Sequence, residues 1–136
     1  MSFTKKKIIM IIIAGVLAAV LVALFVWFFR RENAIVRDMA RLEDIRAIQS
    51  GFERMIIQEN SYEAAAVGCG TVGDVASACA LEKYLPDVAA RKDPGNFLYT
   101  VSTVPTKDSY EITFTLEHGN ATLPAGKHTV SANGIQ

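Results

Sequence analysis

Residues 8–29 (IIMIIIAGVLAAVLVALFVWFF) contain no charged side chain. Wound as an α-helix at ~1.5 Å per residue, such a run is about 33 Å long, close to the hydrocarbon thickness of a bilayer. The 136-residue chain leaves room for one small domain besides it. That domain is too small to bury the helix on every side, so the run is read as a transmembrane helix. A basic tail, residues 1–7 with Lys5, Lys6 and Lys7, precedes it, and Arg30 and Arg31 end it. Phe25, Trp27, Phe28 and Phe29 gather at one end, where amphipathic rings favour the headgroup zone. A secretory signal has an apolar core of ~7–15 residues followed by a small-x-small cleavage site. The longer run here, followed by arginines, is expected to stay as an uncleaved anchor. A plain Lys/Arg count across the span slightly favours a cytoplasmic C-terminus, and two features described below favour the opposite orientation.

The remaining charge is balanced, with 14 basic and 14 acidic side chains over the whole chain. That balance argues against a nucleic-acid partner, which calls for a basic excess. The length excludes large multidomain enzymes.

Residues 30–60 read as an amphipathic stem helix. From Arg30 to Glu59 there is no proline and Gly51 is the single glycine. Ile35, Met39, Leu42, Ile45, Phe52 and Ile56 recur at steps of three or four, apart from one skipped turn at Gln49. Asp38 with Arg41, and Arg41 with Asp44, are spaced to pair on the outer face for a few tenths of a kcal/mol. Two uses of the apolar stripe stay open. It packs on the chain's own head, as expected for its second half, or Ile35, Met39, Leu42 and Ile45 form a seam for a partner.

Residues 61–136 read as a small head. Residues 64–80 are small and glycine-rich, a loop with room for a helical turn. Leu81–Leu85 reads as a short helix stopped by Pro86, and Asp93-Pro94-Gly95-Asn96 is strong turn chemistry. Strands are expected at Phe97–Val104, Tyr110–Glu117 and Lys127–Val130. The second alternates strictly, with Tyr110, Ile112, Phe114 and Leu116 on one face, as a half-buried antiparallel strand does. The expected fold class is α+β: a long N-terminal helix, transmembrane then amphipathic, packed on a small antiparallel sheet.

Cys69 and Cys79 are the only cysteines. A disulfide between them would staple a domain of a size that often needs one, and such bonds persist outside the cytoplasm. Two buried free thiols are the alternative. Two cysteines make neither a four-ligand zinc site nor a CxxC redox centre. Gly68 to Gly73 matches G-x-G-x-x-G by letter, but no hydrophobic strand precedes it, as a dinucleotide site requires. His118 and His128 fall at strand ends with no third ligand or nucleophile spaced to join them. Asp93, Asp108 and Glu111 lack the spacing of a calcium loop. Asn120-Ala121-Thr122 is formally a glycosylation sequon. No catalytic motif is present, so neither enzyme activity nor a cofactor is expected.

The layout resembles the type IV pilins and the pseudopilins of type II secretion. Arg37-Asp38-Met39-Ala40-Arg41-Leu42-Glu43-Asp44-Ile45-Arg46-Ala47-Ile48-Gln49 is similar to the pilin stem. Asn60-Ser61-Tyr62 resembles the NGSYP that ends the stem, with Glu63 where the family has proline. Lys92-Asp93-Pro94-Gly95-Asn96 is similar to the KDPWGN turn of the major pseudopilin, and Tyr110–Glu117 with Ala125–Thr129 resembles the sheet. The front departs from the family. Ser2 rather than glycine precedes Phe3-Thr4, Lys5 to Lys7 stand where the family is apolar, and no acidic residue lies in 1–29. A recognisable prepilin peptidase motif is therefore lacking, and the reading is a pilin-like head on a permanent anchor.

The resemblance implies a single-pass protein of the cell membrane with a cytoplasmic N-terminus and an exported head. It would be a structural or assembly component of a type IV pilus or pseudopilus machine, with the lipid bilayer and other pilin-like subunits or secretion assembly proteins as partners. The alternative is an anchored surface protein whose head is a ligand-binding or adhesion module.

Overall fold

The computed structural model describes residues 2–136, with side chains from Thr4 onward; Met1 and the side chains of Ser2 and Phe3 in the basic tail lie outside the described residues. The chain forms two compact units, Met1–Ala34 and Ile35–Gln136. One helix, α1 (Ser2–Glu59), contributes to both.

In the first unit α1 carries the uncharged run. It is long and apolar enough to cross a membrane, and none of its most apolar stretch is buried within the chain. Near its end Arg31 lies over the Trp27 ring at 5.7 Å, and Phe25 packs on Phe29 with centroids 4.5 Å apart.

In the second unit the rest of α1 runs to Glu59. Asn60 ends it in the left-handed conformation at φ 54°, and its N–H bonds the Ile56 carbonyl at 3.0 Å. Asparagine tolerates that conformation better than most residues, so this is a helix stop written in the sequence. This part of α1 lies on a four-stranded antiparallel sheet, β1 (Thr100–Thr103), β2 (Glu111–Gly119), β3 (Pro124–Ser131) and β4 (Gly134–Ile135), in sequential order. The fold is α+β, a helix packed on a small antiparallel sheet, the pilin-like arrangement that the resemblance implied.

The core lies between helix and sheet. Ile45, Ile48, Phe52 and Met55 of α1 meet Tyr110, just before β2, and Ile112, Phe114 and Leu116 of β2, all buried. Phe52 stacks on Tyr110 with ring centroids 3.8 Å apart, and Tyr62 meets Phe52 edge-on at 5.9 Å. Gly51 is the close-approach point of the stem, since a Cβ there would sit 3.3 Å from that of Leu85.

Three expectations for the head are corrected. Leu81–Leu85 is not a helix; the Leu85 N–H bonds the Leu81 carbonyl at 2.7 Å in a single turn, and Pro86 follows. The first strand starts at Thr100 rather than Phe97, because the Phe97 N–H turns to the Asp93 carboxylate at 3.3 Å. The third runs Pro124–Ser131, longer than Lys127–Val130, and a two-residue β4 follows it.

Both sheet edges are short or covered. The glycine-rich loop lies along β1, with Gly73 N–H to Val101 O at 2.8 Å and Ala76 N–H to Tyr99 O at 2.8 Å. At the other edge, β3 outlasts β4, and its uncovered part holds Pro124, exposed Lys127 and Gly126 at φ 131°.

Candidate functional site

The most unusual feature of the head is a buried charge. Arg41 is 0 % exposed, and Asp38, one turn before it, is 4 % exposed. The Arg41 guanidinium forks onto Asp93, with Nε to Oδ2 at 2.6 Å and Nη2 to Oδ1 at 3.0 Å. Its Nη1 reaches Asp38 at 2.8 Å and Glu117 at 2.7 Å. Arg37 donates to both Glu117 oxygens, at 2.8 and 2.5 Å. Asp38 in turn accepts the N–H groups of Glu117, His118 and Gly119, at 2.8, 2.7 and 2.8 Å. One helical segment, Arg37–Arg41, thus holds the end of β2 and the Asp93–Asn96 turn. The expected outer-face pairing is corrected: Asp38 and Arg41 pair inside the head, and Asp44 pairs with Arg91 at 3.0 Å instead. Asp93 is bound to arginine rather than free for calcium. Among the described residues no group of three His, Cys, Asp or Glu could hold a metal.

The chemistry of the cluster fixes its charge states. Burial alone would raise the Asp38 pKa, but the three N–H donors and Arg41 outweigh it and hold the carboxyl below its ordinary value. Asp93 behaves alike, with Arg41 as the main opposing partner. Arg37, then Arg41, draw Glu117 down to about 2. Asp93 chiefly holds Arg41 protonated well above its ordinary range. For depressed carboxylates the contribution to stability is complete above the ordinary values near 4 and is lost as pH falls through the folded values. The head is therefore expected to lose stability progressively between pH ~5 and ~2. Urea midpoints across that window test this, and a flat profile would refute it.

Gly95 has no side chain because there is no space for one. A Cβ would lie 2.9 Å from Arg41 Nη2 and 3.2 Å from Asp93 Oδ1, and both groups are pinned. Gly95→Ala is expected to cost about 1–3 kcal/mol, as overpacking does, read as a lower urea midpoint.

The expected partner stripe divides. Leu42 and Ile45 are buried in the head's own core and cannot face a partner. Ile35 is half-buried and Met39 is 67 % exposed. The stem face left open carries Val36, Met39, Ala40, Glu43 and Arg46, which line a shallow groove. Cys69 and Cys79 are joined as a disulfide, with Cα atoms 4.8 Å apart. The Gly68–Gly73 letters fall inside and beside that stapled loop, without a preceding strand. His118 is exposed, and the ring nitrogens of His128 lie 3.2 Å from the Gln136 carbonyl and 2.7 Å from that of Pro124.

The missed site residues are Asp93 and Glu117 as partners of Arg41. One signal for the burial of Arg41 was present. Asp38, Arg41, Ile45, Ile48, Phe52 and Met55 follow unbroken steps of three and four, so a stripe drawn through Ile48 and Met55 would have run back onto the charged pair.

Fold and features together define a class: an α+β head with one disulfide, behind a helix capable of spanning a membrane. No protein-family model, curated protein or solved structure matches the chain.

Proposed function

We propose that this chain is a single-pass, membrane-anchored, pilin-like component of a type IV pilus or pseudopilus machine, structural rather than enzymatic. Its N-terminus lies in the cytoplasm and its head outside. The observation that carries this reading is α1 itself, whose apolar stretch stays unburied within the chain and whose later turns form the spine of a disulfide-bonded head. A disulfide favours an exported head, and that outweighs the small Lys/Arg bias. Partners would dock on the open stem face at Val36, Met39, Glu43 and Arg46, where apolar and charged side chains stand together.

Mechanical shearing of cells followed by blotting tests the reading. Signal in sheared fibres or in the envelope supports a filament subunit or an anchored accessory, respectively. Recovery in soluble cytosol with reduced cysteines refutes both. A finer test is the full-length double variant V36D/M39E. Both side chains are exposed, so head stability is expected to stay within about 0.5 kcal/mol, while co-purification with other membrane-anchored subunits is lost. Undiminished co-purification would remove this face from the account.

A further inference from the structure

We infer that the head carries a peptide-binding cleft beside the Asp93–Asn96 turn, suited to a partner polypeptide that presents a carboxylate next to a bulky apolar side chain. The inference goes beyond assembly through α1 and does not depend on it. The cleft has a volume of about 370 Å³, at the lower end of the range for ligand sites. Val75, Phe97, Leu98 and Tyr99 wall it, and Ser77 and Lys92 contribute polar groups. Leu98 is 63 % exposed, Phe97 39 % and Val75 38 %. Phe97 lies over the Arg41 guanidinium at 5.1 Å, but Leu98 and Val75 stand open in the concavity while the core a few residues away is fully formed.

The chemistry of the occupant follows from which polar groups are already engaged. Asp93, the one carboxylate lining the cleft, is consumed by Arg41 and by the N–H groups of Gly95 and Phe97. The Arg91 η nitrogens are held by Asp44 and Asp87. Among the described residues lining the cleft, Lys92 Nζ, Ser77 Oγ and the buried Arg91 Nε have no hydrogen-bond or ion-pair partner. The cleft therefore offers an uncommitted cation and a hydroxyl beside apolar walls, and its complement supplies an anionic acceptor beside an apolar group. An acyl chain calls for a deeper, enclosed apolar channel. An open cleft of this size takes about two side chains, which favours an extended peptide.

The full chain, reconstituted in nanodiscs, is titrated into Ser-Asp-Phe-Leu-Ser-amide carrying fluorescein on its N-terminal amine and followed by anisotropy, with empty nanodiscs as the blank. Saturable binding with Kd of roughly 10–500 μM is expected, about 5–7 kcal/mol. It should weaken at least about fivefold when Asp is replaced by Asn, when Phe-Leu is replaced by Ala-Ala, or when the chain carries Lys92→Glu or Leu98→Ser. Both substituted side chains are exposed, so circular dichroism should show the head intact. Four outcomes would overturn the proposal: no saturation below about 5 mM, equal binding of the Asn peptide, binding unchanged in K92E/L98S, or preferential binding of dodecanoate, which would assign the cleft to lipid.

Discussion

Arg41→Met should unfold the head more easily than any other single exposed-charge or buried-charge substitution in the stem, by about 3–5 kcal/mol. The guanidinium is fully buried and satisfies Asp38, Asp93 and Glu117 together. Methionine fills much of the volume but leaves those carboxylates without their common cation, and Asp93 is almost as enclosed as Arg41, with 1 % of its side chain exposed. Removing one member of a buried ion pair strands the others, whereas small domains have only about 5–15 kcal/mol in hand. Arg41→Lys should recover only part of the loss, because an ammonium cannot fork onto Asp93 while also reaching Asp38 and Glu117. The measurement is urea denaturation of the full chain in detergent, followed by near-UV circular dichroism of the packed tyrosines. A loss below about 1 kcal/mol for the methionine variant would show that the cluster is not what ties the turn to the stem.

The second large effect concerns the loop clasped by Cys69 and Cys79. Its closure removes freedom from the unfolded chain, and for a loop of this size the chain-entropy estimate is about 2–3 kcal/mol. C69A/C79A, or reduction by dithiothreitol, is expected to lower stability by that amount. The consequence should also be local. Residues 73–76 of the stapled loop bond to Tyr99 and Val101, so hydrogen exchange at the amides of Ala76 and Val101 should accelerate before that of β2. Uniform acceleration across the sheet, or none, would contradict the picture of the loop as a stapled edge strip.

Legibility in the sequence followed the range of the interactions. Tyr110–Glu117 could be read because period-two alternation is local, and its apolar members are all buried as expected. The helix stop at Asn60 and the strong turn at Asp93–Asn96 were local too. The cysteine pair was legible by counting. The stem is legible in its period, and Leu42, Ile45 and Phe52 lie in the core as expected; the stripe departs from the inner face at Met39, which is exposed, and steps past Ile48 and Met55. The inner face also takes in Ile48 and Met55 and runs back to Arg41 and Asp38, where charged letters hide its continuation. The partners of Arg41 lie 52 and 76 positions away. No periodicity connects a stem arginine to a turn aspartate and a strand glutamate, so only the folded chain brings that cluster into view. The cleft is illegible in the sequence for the same reason, since its walls come from Val75 and from Phe97–Tyr99.

The treatment of the sheet margins has a consequence for crowding. Proteins held in one membrane meet at high local density, and bare strand borders would then zip neighbouring heads into cross-β aggregates. Here one border is sealed by the stapled loop and the other offers a two-residue strand, a proline and a lysine. On the proposed anchored reading, heads could be packed shoulder to shoulder in a bilayer without templating one another, and lateral order among copies would be left to side chains rather than to shared backbone ladders.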